Sequence, residues 1–257
     1  PLYSARLLSG IGGVFLIALT GFCGFRLGRS RAGGLLAALL AAFCPFFVQQ
    51  AHFYTVDPWA AIFGTLAILL AMREKWFRSG VFVGLALACK ASSAWVGVTI
   101  GAAMMVVTRP RQWMRNGLSF LSGVLVAVFV GSPWLILAPV RCWRGPLVQA
   151  QLAAGRFVFP YTQQYVRTIP WVYPFTQMFL WSMGPPVTLA GVISLLRLIV
   201  TWRETRRPYR IALVAMVFFF LVISGFYVKY PRYLLAIYPL WIGFAVKGLL
   251  DLHQAFR

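Results

Sequence analysis

The feature that most constrains this chain is the length of its apolar runs. Eight such runs occupy residues 7–25, 32–50, 57–72, 80–107, 117–140, 180–200, 211–228 and 234–250. A helix crosses about 30 Å of hydrocarbon with roughly 20 apolar residues, and in lipid it satisfies its own backbone hydrogen bonds. We therefore predict an all-α, polytopic transmembrane helical bundle that forms a single integral-membrane domain over residues 1–257.

The composition excludes a soluble globular domain. Of the 257 residues, 61% are hydrophobic and 11% are charged, whereas soluble domains have about 45–50% and about 25%. A net charge of +20 would suggest nucleic acid in a soluble protein. Here the basic residues lie in clusters between apolar runs, as the positive-inside rule produces. We therefore expect membrane lipids as partners and no nucleic acid.

These basic clusters predict the orientation of the chain. Arginine-rich loops stay on the cytoplasmic side of a membrane, and four such clusters lie at residues 26–31, 73–78, 108–116 and 203–210. The second and third clusters can share a side only if the run between them crosses twice. We therefore predict two short helices within 80–107, with a turn at Lys90–Ser93. That layout gives about nine crossings, with the N-terminus outside the cell membrane and the C-terminus in the cytoplasm.

The longest segment between runs, residues 141–179, is predicted to be an outer loop. It lacks obvious helix or strand patterning and contains several prolines and aromatic residues. Long loops of this kind are functional or disordered, and the aromatic content argues against disorder. Basic residues on the outer side oppose the usual topological tendency, so we look for function among them.

The scarcity of acidic residues narrows the search for a site. Only four occur, and Asp57 alone lies at a predicted outer turn. An Asp followed by a Pro is a typical helix start in which the Asp caps the helix, and that role does not exclude a catalytic one. Lys90 lies in an otherwise apolar run, where an ammonium usually faces a polar partner. It either reaches the interface on its long stem or pairs with Asp57.

His52 is interpreted as an interfacial histidine or a hydrogen-bond donor to a ligand. A metal site is the less favoured interpretation, because no cysteine, glutamate or second histidine stands near it in the sequence. We therefore assign no metal ligand, and the sequence leaves open whether a divalent metal is a cofactor.

The last predicted outer connection combines two cations with tyrosines. Lys229 and Arg232 alternate there with Tyr227, Tyr230 and Tyr233. A guanidinium fork and an ammonium suit an anionic phosphate, but attraction to anionic headgroups beside an aromatic belt would give the same pattern. The chain contains no nucleotide-binding or hydrolase motif, so ATP-driven transport and soluble-type hydrolysis lack support.

Four short motifs, in order along the chain, resemble one group of enzymes. They are Leu35–Leu40 leading to the turn at His52–Asp57, Gly84–Lys90, Pro160–Tyr165 continuing to Pro170, and Tyr230–Leu235 continuing to Tyr238 and Pro239. On this layout the chain resembles the membrane glycosyltransferases of the GT-C superfamily, in the protein O-mannosyltransferase and aminoarabinose-transferase-like branch.

The resemblance implies an enzyme that transfers a sugar from a polyprenyl-phosphate carrier to a protein, lipid or glycan acceptor on the outer face of the membrane. It implies a secondary catalytic acid at Asp57 and a donor-site lysine at Lys90. Lys229, Arg232 and Tyr233 would then bind the lipid phosphate. His52, with Tyr161 and Tyr165 of the third motif, are candidate substrate contacts.

The chain departs from the family pattern at its start. Similar enzymes carry their principal carboxylate in the first outer loop, after a first spanning helix, and no acidic residue precedes Asp57 here. We therefore expect a fragment that lacks that helix and its general base, and that is inactive by itself. A transporter or flippase for lipid-linked sugars is the alternative, although no repeated halves are visible. A scaffold role would not explain Asp57, Lys90 and Arg232.

Overall fold

A computed structural model describes residues 2–256 of the chain, and these residues form helices with no strand. The first half contains α1 (Leu2–Gly28), α2 (Arg31–Ala42), α3 (Pro45–His52), α4 (Asp57–Ala71), α5 (Trp76–Cys89), α6 (Ala94–Val107) and α7 (Pro110–Gly131). The second half contains α8 (Trp134–Leu137), α9 (Pro139–Ala153), α10 (Val172–Gln177), α11 (Pro185–Val200), α12 (Arg207–Gly225) and α13 (Tyr238–Ala255). The predicted all-α membrane bundle is confirmed.

Proline and serine define many of the helix starts. Proline occupies the first or second position of α3, α4, α7, α9, α11, α12 and α13, where its missing N–H costs nothing. The Ser30 hydroxyl accepts a 2.9 Å hydrogen bond from the backbone N–H of Gly33 and so caps α2. Short 3₁₀ turns at Ala91–Ser93, Pro160–Tyr165 and Pro231–Ile237 join several of the helices.

The run predicted as one helix at 32–50 is instead broken. Its two parts, α2 and α3, meet at an angle of 59°. The break falls at Phe43 and Cys44, immediately before Pro45, because a proline disfavours helical geometry in the preceding residue and cannot donate into the turn before it. The break separates α3 from the straight run of α2, so that α3 leads into the turn before Asp57.

The predicted outer loop also contains more helix than its sequence indicated. Residues 141–179 include most of α9, a 3₁₀ turn, α10 and the start of a π-helical turn at Met178–Ser182. Pro146 lies inside α9 and hides the helical pattern from sequence analysis. The segment is joined to the bundle by the backbone N–H of Tyr227, which donates to the Ala153 carbonyl oxygen over 2.9 Å.

The turn predicted inside the run 80–107 is present, between α5 and α6. It allows α5 to pack against α7, and the glycines of α5 show how close that contact is. A Cβ added to Gly80 would collide with the Phe120 carbonyl oxygen, and one added to Gly84 would lie 2.6 Å from the Val124 carbonyl oxygen. Gly131, later in α7, lies against Ala88. Helices α5 and α7 therefore run parallel in close glycine-mediated contact. Helix α6, which lies between them in the sequence, runs in the opposite direction.

This arrangement brings the basic clusters to one end of the bundle, which we call the arginine end. Arg29, Arg73 and Arg206 line one cavity there, and Arg207 lies 3.1 Å from Glu74. The parallel course of α5 and α7 places the third cluster, at the start of α7, at this end too. The side of the membrane that this end faces stays a prediction.

Helix length supports four crossings directly. By length and composition, four helices among residues 2–256 can span a membrane, and α2 with α3 supplies a fifth if the bent pair is one span. Four shorter apolar helices, at Asp57–Ala71, Trp76–Cys89, Ala91–Val107 and Pro185–Val200, complete the set. The predicted nine crossings require all of the short helices to cross, and that number stays a prediction.

Candidate active site

Asp57 begins α4 at the end of the bundle opposite the arginine end. It is 6% exposed and occupies the first helical position, after Val56 at the N-cap. The expectation that Asp57 caps the helix is wrong, because no side chain forms a capping hydrogen bond at this start. Its carboxylate is instead bound to a partner from another helix.

That partner is Lys90, where the chain leaves α5. Lys90 adopts an extended backbone conformation, with φ −157° and ψ 123°, which turns its side chain out of the helical path. Its ammonium donates a 2.5 Å hydrogen bond to Asp57 Oδ1, and the two side chains are 24% and 7% exposed. Of the two interpretations of Lys90, pairing with Asp57 is therefore the observed one.

Arg232 and Tyr233 complete a small cluster around this pair. Together with Asp57 and Lys90 they line a cavity of about 30 Å³. The Lys90 ammonium lies 4.9 Å from the centre of the Tyr233 ring, within the range of a cation–π interaction. Arg232 is exposed, and its guanidinium lies 4.5 Å from the centre of the Tyr230 ring. The fold thus joins residues from three predicted turns that are far apart in the sequence.

The electrostatics of this cluster favour an anion. Burial lowers the pKa of Lys90 below its ordinary value, the Asp57 carboxylate opposes that shift, and the Arg232 charge adds to it. Two cations therefore face one carboxylate in a partly dehydrated setting, where electrostatic interactions are stronger than in water. The arrangement can bind an anionic group at its mouth while the carboxylate holds Lys90 in its charged form.

Lys229 is directed away from this cluster. Its side chain is buried, and its ammonium donates to Thr168 Oγ1 over 3.1 Å and to the Tyr227 carbonyl oxygen over 3.0 Å. Burial lowers its pKa from the ordinary lysine value. Lys229 does not line the cavity of Asp57 and Lys90, so the structure separates two cations that the sequence had placed together.

Of the three predicted substrate contacts, one is buried and two are exposed. Tyr165 is 2% exposed and packs edge-on against Tyr173 and Tyr230, with ring centres 5.7 and 5.5 Å apart. Tyr161 is exposed and stacks on Phe159. His52 is exposed at the end of α3, with Nδ1 2.8 Å from the Val48 carbonyl oxygen. Tyr161 and His52 are therefore reachable by a substrate, whereas Tyr165 is a packing residue.

Two contributions to the site were not predicted from the sequence. Ser92 and Ser93, which were considered only as turn residues, line the cavity beside Lys90. Tyr230 links the Tyr165 cluster to Tyr233, since the rings of Tyr230 and Tyr233 lie 5.6 Å apart. Within residues 2–256, no three His, Cys, Asp or Glu side chains are grouped as a metal site would need.

The family follows from a comparison with known proteins. The family model described as dolichyl-phosphate-mannose-protein mannosyltransferase matches residues 3–137, which is more than half of the chain. The chain belongs to this mannosyltransferase family. No curated protein and no solved structure matches it.

Membership of the mannosyltransferase family makes the chain a membrane glycosyltransferase. The matched region contains Asp57 and Lys90 but ends before Arg232 and Tyr233. The fold supplies the connection, because a 3₁₀ turn after α12 carries Arg232 and Tyr233 to the ion pair. The candidate active site of this mannosyltransferase-family chain is thus built from both halves of the sequence.

Proposed function

We propose that this protein transfers a sugar from a polyprenyl-phosphate carrier to an acceptor at the outer face of the membrane. The observation that carries the proposal is the ion pair of Asp57 and Lys90, which shares a cavity with Arg232 and Tyr233. The arrangement combines two cations and one carboxylate at one end of a membrane bundle, as a reaction on a lipid-linked phosphate requires.

The reaction consists of one bond exchange. The bond between the sugar carbon and the phosphate oxygen breaks, and the phosphate leaves with the bonding electron pair. The acceptor hydroxyl forms the new bond to that carbon and gives its proton to a base. Lys90 and Arg232 stabilise the negative charge that develops on the leaving phosphate, which is the contribution of fixed cations in such sites.

Asp57 supports this chemistry through Lys90. An ammonium shielded from water loses its charge more easily, and the 2.5 Å contact with the carboxylate opposes that loss. Asp57 is thus the secondary acidic residue of the proposed mechanism.

The size of the cavity indicates where the phosphate binds. A volume of about 30 Å³ is roughly that of one water molecule, so a phosphate group does not fit inside. The exposed guanidinium of Arg232 marks the mouth of the cavity. We therefore propose that the phosphate binds at this mouth, with Lys90 behind it and Tyr233 beside it.

The test is the binding of a polyprenyl phosphate without sugar to the purified protein in detergent. We expect Lys90→Gln and Arg232→Gln to weaken binding by about tenfold each, since a hydrogen bond to a charged group contributes about 1.5–3 kcal/mol. Lys247→Gln is the matched control, because Lys247 forms an equally short ion pair with Asp251 near the opposite end of the bundle. Equal losses in all three variants would contradict the proposal.

Transfer itself is measured with the protein in its full natural length, reconstituted into vesicles with a polyprenyl-phosphate-linked mannose. Asp57→Asn is expected to reduce the rate of transfer while the protein stays folded, because the ammonium of Lys90 loses its counter-charge. Undiminished transfer by Asp57→Asn would remove Asp57 from the site.

A further inference from the structure

A large cavity lies at the arginine end of the bundle, far from the candidate active site. Its volume is about 760 Å³, within the range of typical ligand sites. Helices α1, α4, α5 and α12 contribute to its wall. We propose that this cavity binds an anionic phospholipid of the surrounding membrane, with the phosphate at its arginines and an acyl chain along its apolar wall.

The charges of the cavity favour an anion. Four arginines line it, namely Arg26, Arg29, Arg73 and Arg206, and no carboxylate of residues 2–256 does. The nearest acidic residue in sequence, Glu74, is paired with Arg207 at 3.1 Å. The lining of the cavity therefore carries positive charge without an internal counter-ion, and basic pockets between transmembrane helices are known to bind lipid head groups.

A second cavity at the same end provides the contrast. Its volume is about 500 Å³, and two carboxylates, Glu204 and Asp251, share its lining with four basic residues, namely Arg29, Arg197, Arg206 and Lys247. Asp251 lies 2.5 Å from the Lys247 ammonium and 3.7 Å from the Arg197 guanidinium. Two carboxylates therefore offset part of the positive charge of the second cavity, whereas the first cavity has no carboxylate in its lining and is the more favourable site for an anionic head group.

The apolar part of the first cavity suits an acyl chain. Its wall includes Leu66, Leu69 and Phe82 together with Phe22 and Phe25. Phe22 and Phe25 are 42% and 43% exposed, so the wall is open to the surroundings, which for a membrane-spanning bundle are acyl chains. A free phosphate would use the arginines but leave this wall uncovered, whereas a phospholipid covers both.

The backbone at Arg29 is a second, independent observation. Arg29 has a φ of 51°, a left-handed conformation that costs a non-glycine residue about 1–2 kcal/mol. The sequence accepts this strain at the tight turn between α1 and α2, where glycine would avoid it. The turn holds the Arg29 side chain at the border of both cavities, and strained residues of this kind cluster at ligand sites.

The test compares two lipids with the same acyl chains, dioleoyl-phosphatidylglycerol and dioleoyl-phosphatidylcholine, on the purified chain in detergent. Bound lipid is counted by native mass spectrometry. We expect selective retention of the anionic lipid. The double variant Arg26→Gln/Arg73→Gln should lower that retention by about thirtyfold, since each of the two cations contributes about 1 kcal/mol near a lipid surface. Equal retention of the two lipids by the unmodified chain would overturn the proposal.

The matched control is Arg111→Gln/Arg115→Gln, which removes the same charge from exposed positions at the same end but outside the cavity. It should retain the anionic lipid as the unmodified chain does. If both double variants lose the lipid equally, the binding is attraction to a basic surface and the cavity proposal fails.

Two further variants distinguish lipid binding inside the cavity from attraction of the lipid to a basic surface. Leu66→Trp fills the apolar wall and keeps every arginine, so it should reduce retention of the anionic lipid, with the Tm in lipid-free detergent reporting that the bundle is folded. Arg29→Gly should weaken lipid retention without lowering that Tm, because it removes strain together with a cation. Unchanged retention in a folded Leu66→Trp, or in Arg29→Gly, would contradict the proposal.

Discussion

The Lys90 ammonium and the Asp57 carboxylate lie 2.5 Å apart, although 33 residues separate them in the sequence. Asp57 starts α4 and Lys90 directly follows α5, so the ion pair joins the two helix ends at the open end of a helical hairpin, away from its connecting turn. Both side chains are mostly shielded from solvent. The pair is therefore structural as well as functional, and the two roles can be measured separately.

Removing one partner of this pair is expected to destabilise the protein more than removing both. Lys90→Met leaves a buried carboxylate without its counter-charge and should lower the free energy of unfolding by about 2 kcal/mol. Asp57→Asn/Lys90→Met removes both charges and should recover much of that loss. Reversible unfolding in mixed detergent micelles measures both values.

Lys247→Met provides the comparison for this cycle. The pair of Lys247 and Asp251 is an i,i+4 contact on one helix with more exposure of its carboxylate, so its loss should cost roughly 0.5 kcal/mol. A cost at Lys90 as small as that at Lys247 would show that the Asp57 pair is no more than a surface contact.

The titration of Lys90 should respond in opposite directions to its two charged neighbours. Asp57 raises the pKa of Lys90 and Arg232 lowers it. Asp57→Asn should therefore lower this pKa further, and Arg232→Gln should raise it. The chain has only four lysines, so the resonances of ¹³C-dimethylated lysine side chains can be assigned by single substitution. Shifts of the same sign in both variants would contradict the geometry.

The lowered pKa values of two lysines also predict how the stability of the protein depends on pH. Burial lowers the pKa of both Lys90 and Lys229 below the ordinary 10.5. Between the lowered value and 10.5 the unfolded chain binds more protons than the folded one, so the free energy of unfolding rises with pH across that window. Lys229→Met should flatten the rise. A slope unaffected by Lys229→Met would show that Lys229 is not desolvated in the folded protein.

The contact between Lys229 and Thr168 should hold the outer segment in place. Thr168→Val removes one of the two acceptors of a buried ammonium and should cost about 1–2 kcal/mol. We expect faster amide hydrogen exchange over the turn at Pro160–Tyr165, with exchange in α13 unchanged. Thr176→Val is the control, because Thr176 is exposed and bonds only within its own helix. Equal effects of both substitutions would show that the contact between Lys229 and Thr168 does not hold this segment in place.

The contact between α5 and α7 should not tolerate a side chain. Gly80→Ala places a Cβ against the Phe120 carbonyl oxygen, and overpacking of this kind costs about 1–3 kcal/mol. Gly101 in α6 has nothing within 4 Å of an added Cβ, so Gly101→Ala should be neutral or stabilise the helix by up to about 1 kcal/mol. Thermal unfolding of the two variants distinguishes them, and a tolerated Gly80→Ala would disprove the close parallel contact.

Charge patterning predicted the part of the fold that positions the site. The clusters at 73–78 and 108–116 required a turn inside one long apolar run, and the structure has that turn at Lys90. The prediction succeeded because the cost of placing charge in hydrocarbon is large and acts on every loop. The same reasoning offered the pairing of Lys90 with Asp57 as one of two interpretations, and the structure has that pair.

The features that escaped sequence analysis depend on local geometry and on contacts between distant segments. The bend before Pro45 lies within an unbroken apolar run, so hydropathy does not reveal it. Helix α9 contains Pro146, which reads as a loop residue in sequence. Lys229 has the same charge as Arg232, so the sequence does not distinguish them. Lys229 is directed away from the Asp57 cavity because its ammonium donates to Thr168, which lies 61 residues away in the sequence.

The short helices beside the candidate site have a consequence for the bilayer itself. Helices α5 and α6 contain 14 residues each, so each rises about 21 Å, while hydrocarbon is about 30 Å thick. For these helices to cross, the membrane must become thinner around them or their polar ends must lie below the headgroup plane. A lipid-linked substrate then meets Lys90 in a depression of the leaflet, and lipids with shorter tails would ease its approach.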